Sequence, residues 1–147
     1  MKKINIKSLL FYLISTFVIG CLFVPLTNSD FYKSINKPFT LPPVIFIIVW
    51  TILYILMSIS IYRVRKNKTN NILYYINMGL NSIWTLIFFG LKNFLLSSII
   101  LILILIIVII MFIRYRKEDK VSSNLLIPYI IWLLIAGFLN LSIYFMN

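Results

Sequence analysis

Apolar residues run almost unbroken for about twenty positions five times along this chain, over residues 8–26, 44–62, 72–91, 94–113 and 125–145. At 1.5 Å per residue such a run matches the roughly 30 Å hydrocarbon layer of a bilayer, so each predicts a membrane-spanning helix. Short polar stretches separate the runs. Residues 67–71 and 114–120 supply two connections, and Lys92 with Asn93 makes a tight hairpin in which Gly90 is placed to end the third helix. The predicted architecture is an all-α integral membrane protein, one domain over residues 1–147 built as a bundle of five transmembrane helices.

Composition agrees with the pattern: 62% of the 147 residues are hydrophobic and 12% charged, against about a quarter charged in a typical soluble domain. The charges that remain are arranged. Lys2, Lys3 and Lys7, then Arg63, Arg65, Lys66 and Lys68, then Arg114, Arg116, Lys117 and Lys120 all flank one side of the predicted bundle, and only Lys33, Lys37 and Lys92 flank the other. By the positive-inside rule the N-terminus is expected in the cytoplasm and Asn147 outside, in a bacterial-type plasma membrane. The surplus of 14 basic over 3 acidic residues therefore points to contact with membrane lipids and not to nucleic acid, because it sits in short clusters beside apolar runs.

The residue inventory removes most chemistry. There is no His, a single Cys (Cys21), and the acids are Asp30, Glu118 and Asp119 alone. Zinc sites, an intramolecular disulfide, His-ligated haem and a His general base all lack their side chains. No Asp, Glu, Lys, Arg or His falls in the middle of any run, so the usual relay of ion-coupled transport is missing too. No acid–base catalytic residue, metal ligand or resident cofactor is expected. Lys2, Lys3 and Lys7 ahead of an apolar stretch ending at Gly20-Cys21 also match a lipoprotein signal, but apolar sequence continues through Leu26 with no polar linker. An intact-mass measurement separates the two: the full chain is expected, whereas lipidation at Cys21 would remove the first twenty residues.

Two features then stand out. The longest connection, residues 27–43, carries Pro38, Pro42 and Pro43, which fix φ and favour extended neighbours, so it reads as a stiff loop able to hold Tyr32, Phe39 and Pro42 over the bundle. The three Trp residues lie within roughly 5 Å of the middle of their predicted helices, far from the headgroup layers where Trp usually collects. Spacings of three and four align Phe46, Trp50, Tyr54 and Met57 on the second helix, and Asn77, Asn81, Trp84 and Phe88 on the third. Tyr129, Trp132, Ala136, Asn140 and Ile143 align on the fifth. These stripes suit either a shared ligand cavity or plain packing with Asn–Trp hydrogen bonds, and the stiff loop favours the cavity. The fourth helix, aliphatic all round from Ile99 to Ile110, reads as a largely lipid-facing support. Gly79, Ser82, Ala136 and Gly137 offer close helix approach within or between subunits.

In order and spacing, Phe31-Tyr32, Lys37-Pro38, Pro42-Pro43, Phe46, Val49-Trp50, Leu53-Tyr54 and Met57 resemble the first signature of the tryptophan-rich sensory protein family. This family is also called the translocator protein or peripheral-type benzodiazepine receptor family. Leu80-Asn81 with Trp84 and Phe88-Phe89, and Pro128-Tyr129, Trp132, Ala136 and Leu139-Asn140, are similar to its third- and fifth-helix blocks. The resemblance implies a five-helix, often homodimeric protein that binds porphyrins such as protoporphyrin IX, and isoquinoline or benzodiazepine-type ligands, beneath the first loop. It carries over Tyr32, Trp50, Asn81, Trp84, Trp132 and Ala136 as lining, with Pro42 and Pro43 at the entrance. The stripes add Phe46, Tyr54 and Asn140, and Leu139 stands beside Asn140 in the matching block. The expected function is porphyrin sensing, sequestration or transfer. The alternatives are a light-dependent porphyrin-degrading catalyst using Tyr32 and Trp132, and a lipid-contact or scaffold protein with no cavity. Phe31 and Thr40 depart from the family, which often has Trp at these two positions.

Overall fold

A computed structural model describes residues 3–147; Lys2, one of the flanking basic residues, lies outside the described residues. Its helices are α1 (Ile6–Gly20), α2 (Ser29–Ser34), α3 (Pro43–Val64), α4 (Lys68–Thr85), α5 (Phe94–Glu118), α6 (Lys120–Asn124) and α7 (Ile127–Met146). Together with a 3₁₀ turn at Val24–Leu26 and a π turn at Leu86–Gly90, all but α2 form five segments long and apolar enough to cross a membrane.

The helices run past the edges of the apolar runs because hydropathy marks hydrocarbon, whereas helix ends are set by caps. Asn67 accepts the Thr69 N–H at 3.0 Å, so α4 starts at Lys68 instead of after a connection extending to Asn71. Helix α5 likewise continues through Arg114, Arg116 and Lys117 to Glu118, and Asp119 alone separates it from α6 while capping Val121 and Ser122 at 3.3 Å each. The stretch 27–43 is not loop throughout. Asn28 accepts the N–H groups of Asp30 and Phe31 at 2.8 and 3.2 Å and so starts α2, whose first turn carries Asp30 and last turn Lys33, both matched to the helix dipole. At the α4–α5 hairpin the left-handed residue is Lys92 (φ 53°), not Gly90. The ladder widens first, with Leu91 N–H reaching Leu86 O at 3.0 Å and Asn93 N–H reaching Ile87 O at 3.1 Å.

Helix α5 is more than a lipid-facing support. Leu101, Ile104, Val108, Met111 and Tyr115 form one buried stripe at spacings of three and four, against α4 and α7, while Ile99, Ile102, Ile106 and Ile109 face outward. Uniform aliphatic character hides this stripe from any hydropathy reading. Among the glycines, a Cβ at Gly79 or Gly137 would meet nothing within 4 Å, so neither serves helix approach inside the subunit. Gly20 does. A Cβ there would come within 2.5 Å of the Tyr54 ring, whose hydroxyl donates to Gly20 O at 3.2 Å.

The end bearing most of the basic residues is tightly tied. Glu118 accepts from Asn67 and Asn70 at 2.7 and 3.0 Å, Tyr62 accepts Asn5 N–H at 2.7 Å, and Arg63 pairs with Asp119. A solid core of Met57, Ile61, Tyr74, Met78, Ile104, Met111, Tyr115 and Tyr129 fills this half. The other half holds only a smaller cluster, Tyr32, Phe88, Leu139 and Ile143, under α2; Phe46 and Trp84 pack against both. The hydrogen bond from Arg63 holds the Asp119 carboxyl below its usual range, so the pair stabilises the fold above that range and is lost as pH falls through the lowered value. Thermal melts of wild type and Asp119→Asn are therefore expected to differ at neutral pH and to converge in acid.

Candidate functional site

Between the two clusters lies a cavity of about 360 Å3. Helix α3 contributes Pro43, Phe46, Trp50 and Tyr54 to its wall, α4 contributes Asn81 and Trp84, and α7 contributes Trp132, Ala136, Leu139, Asn140 and Ile143; Tyr32 of α2, with Thr27, Asn28 and Ser29, lines the outer end. Eleven of the twelve residues expected from sequence thus share one cavity. Pro42 is not among its lining residues: it precedes α3, where its φ of −56° and missing N–H suit a helix start. Phe39 is exposed and away from the wall. Met57, Asn77 and Tyr129, on the same stripes, sit below in the solid core or its polar network.

Sequence reasoning missed the contribution of α1 and its end, where Phe17, Gly20, Cys21 and Val24 also reach the cavity, and Leu101 of α5. Apart from Phe17 the first run carries only ordinary aliphatic and small residues there, so no stripe of aromatic and amide groups marks it. The one available signal was Gly20, opposite the bulky Tyr54.

Aromatic edges build the wall. Phe46 stands edge-on to Tyr32 (5.6 Å between centroids, 79°) and to Trp132 (5.9 Å, 74°), Trp50 lies 5.5 Å from Tyr54, and Trp84 stacks on Phe88 at 5.4 Å and 28°. Such offset and edge-to-face pairs hold rings in fixed orientation and contribute about 0.5–1.5 kcal/mol each beyond their buried area.

The two carboxamides are largely committed to the protein. Asn81 donates to Tyr129 Oη at 2.5 Å and to Asn77 Oδ1 at 3.2 Å, and Tyr129 donates to Asn77 Oδ1 at 2.8 Å. Asn140 accepts from Trp84 Nε1 at 3.0 Å and donates to Phe94 O, Ser97 Oγ and Ser98 Oγ at 3.0, 3.0 and 2.7 Å. Asn140 therefore sets the Trp84 ring and joins α4, α5 and α7. Among the described residues, two buried side-chain polar atoms have no partner in the protein, the Tyr32 hydroxyl and the Trp132 indole N–H, and both belong to cavity-lining side chains. Burial raises the Tyr32 pKa, which keeps its O–H a donor through neutral pH. No three His, Cys, Asp or Glu side chains gather into a metal-binding group among the described residues.

The lid over this wall is fastened by polar contacts. Lys37 Nζ donates to the carbonyls of Tyr32 and Ile35 at 2.6 and 2.9 Å and stands 4.7 Å from the Tyr32 ring centre. Asn147 accepts Asn36 N–H at 3.0 Å and donates to Asn36 O at 2.8 Å, joining the lid to the end of α7.

Five apolar spanning segments around an aromatic hollow define a multi-pass membrane protein with a candidate small-molecule pocket in its helix bundle. Residues 8–146 match the model of the TspO/MBR family, and the chain belongs to that family. It is 33% identical over 134 residues to the tryptophan-rich protein TspO of Archaeoglobus fulgidus, covering 87% of each chain. It is 32% identical over 136 residues to protein CrtK of Rhodobacter capsulatus, covering 87% of this chain and 83% of the relative. The tryptophan-rich protein TspO of Chlorobaculum tepidum is also 32% identical over 136 residues, at 87% and 86% coverage.

Replacing Asn140 by Leu removes the acceptor of a mid-membrane indole N–H, while the Ser97 and Ser98 hydroxyls keep Phe94 O as acceptor at 3.0 and 2.8 Å. The expected loss is about 1–3 kcal/mol of stability, visible as a lower Tm in detergent, with a changed Trp84 emission maximum.

Proposed function

We propose that this protein binds a tetrapyrrole of the protoporphyrin type in the aromatic cavity and serves to sense, sequester or hand on that molecule. The observation that carries the reading is the pair of buried donors without acceptors, Tyr32 O–H and Trp132 N–H, set in a largely aromatic and aliphatic wall. A ligand matching such a wall has a broad flat apolar face and a few hydrogen-bond acceptors, and a porphyrin offers both through its macrocycle and its ring nitrogens or carboxylates. Leaving a buried donor unpaired costs about 1–3 kcal/mol, so a small turn of either side chain toward an incoming acceptor recovers free energy that the empty cavity forgoes. An isoquinoline-type amide meets the same description on a smaller scale.

Membership of the TspO/MBR family supports the assignment. The basic clusters support an orientation in which their end of the bundle faces the cytoplasm and α2 with the cavity lies toward the outer side. The solid core beneath the cavity favours holding a ligand over passing it through the bundle.

Protoporphyrin IX titrated into purified protein is expected to quench Trp emission and shift its own absorption band. Tyr32→Phe and Trp132→Phe keep a ring and remove a donor, and each is expected to weaken binding by roughly three- to tenfold with helicity unchanged. Unaltered emission and absorption at saturating porphyrin, with the helical signal intact, would refute the reading.

A further inference from the structure

The cavity opens along the flank between the end of α1 and the outer half of α3, and at its outer end exposed Thr27, Asn28 and Ser29 line it as well. Above it, the Tyr32 side chain is buried beneath a lid held by Lys37 and by the Asn36–Asn147 bonds. At the side, α1 ends at Gly20, pressed against Tyr54, and the following turn carries the chain toward the α4–α5 hairpin, where Leu26 lies 3.5 Å from the position of a Cβ on Gly90. The outer half of α3 is thereby left without a neighbour on that flank. Ile47 is 67% exposed and Thr51 is exposed, yet both line the cavity; across from them the same is true of Cys21 and of Val24, 48% exposed. A side chain that belongs both to the cavity wall and to the outer surface marks a mouth.

Depth decides what this mouth faces. Thr51 lies eight residues into α3 from Pro43, about 12 Å along the helix axis. In a hydrocarbon layer roughly 30 Å thick, a slit running to that level borders acyl chains over most of its length. Its lower rim is apolar apart from Cys21 and Thr51, and the Thr51 hydroxyl is turned back to donate to Ile47 O at 2.7 Å.

We infer that ligand enters and leaves the cavity sideways from the bilayer, through the slit between Cys21–Val24 and Ile47–Thr51. The inference rests on the binding reading above and adds to it a substrate class: flat, apolar molecules already dissolved in the membrane, whose supply is set by their concentration in lipid and not in water.

Cys21 is the only cysteine in the chain, which makes the slit addressable in the native protein. Protein in lipid nanodiscs is treated with methyl methanethiosulfonate or with a bulky adamantyl methanethiosulfonate, and protoporphyrin IX binding is followed by stopped-flow absorbance. Thr51→Phe narrows the opposite rim without a label, and circular dichroism checks the fold. The bulky adduct and Thr51→Phe are each expected to slow association and dissociation together, by about tenfold, so that affinity moves far less than either rate; the methyl adduct should have little effect, and reduction should restore both rates. Porphyrin binding with rates unchanged by the bulky adduct and by Thr51→Phe, or rates that respond only to loosening the lid with Asn147→Ala, would overturn the lateral route while leaving the binding site standing. No binding by the untreated protein would instead defeat the binding reading, and the route with it.

Discussion

Hydrocarbon offers a buried N–H or O–H no partner, so every polar group placed inside this bundle has to find one within the protein or remain unsatisfied. Three networks meet that demand. Thr16 of α1, Ser58 of α3 and Tyr74 of α4 are joined at one level; Asn77, Asn81 and Tyr129 join α4 to α7; and Asn140 with Ser97, Ser98 and Trp84 joins α4, α5 and α7. Because lipid tails are as apolar as Leu, helix association gains nothing from leaving lipid for a Leu-rich contact. Register then depends on close packing and on polar networks such as these. The cavity is a consequence: the networks fix where α4 and α7 stand, and the large rings at 46, 50, 84 and 132 then meet edge to face around a space instead of interdigitating into it.

Much of this was legible before any coordinates. Membrane thickness sets the length of the five runs, and spacings of three and four put Trp50, Asn81, Trp84 and Trp132 on faces that turn out to share one cavity. Less legible was the division of labour among polar residues. From sequence, the amides of these stripes suited either the lining of a ligand cavity or hydrogen bonds to Trp between helices, since an amide in mid-membrane demands a partner. The structure satisfies that demand inside the protein, Asn140 with Trp84 and Ser98 and Asn81 with Tyr129, and leaves the unpaired donors on Tyr32 and Trp132. A one-dimensional pattern shows that a polar group needs a partner but not which partner it takes.

The remaining misreadings share a physical origin. In α5 every residue from Ile99 to Ile110 is aliphatic, so burial of Leu101, Ile104 and Val108 is decided by neighbours and leaves no trace in composition. In α1 the part that reaches the cavity lies where the helix stops, and there Gly20 fits under Tyr54, a contact between residues 34 positions apart. Caps, by contrast, are local. Asn28, Asn67 and Asp119 each satisfy N–H groups within three residues and could have been recognised as helix starts.

The two halves of the bundle differ in a way that bears on what the cavity is for. Toward the end richest in basic residues, Ile61, Tyr74, Met78, Ile104, Val108, Met111 and Tyr115 are fully buried and packed against one another, so the hollow has a floor. Interiors at this density do not open by small degrees, because a void costs the contacts of every atom that lines it. On the proposed binding reading, a molecule resting against Trp50 and Trp132 has its ways out at the lid and at the flank beside Cys21, both in the same half of the bundle. Entry and exit on one side are what a receptor or a store requires. A carrier would in addition need the core around Met57 and Tyr129 to come apart, and that core contains the Asn77–Asn81–Tyr129 network on which the placement of α4 and α7 depends.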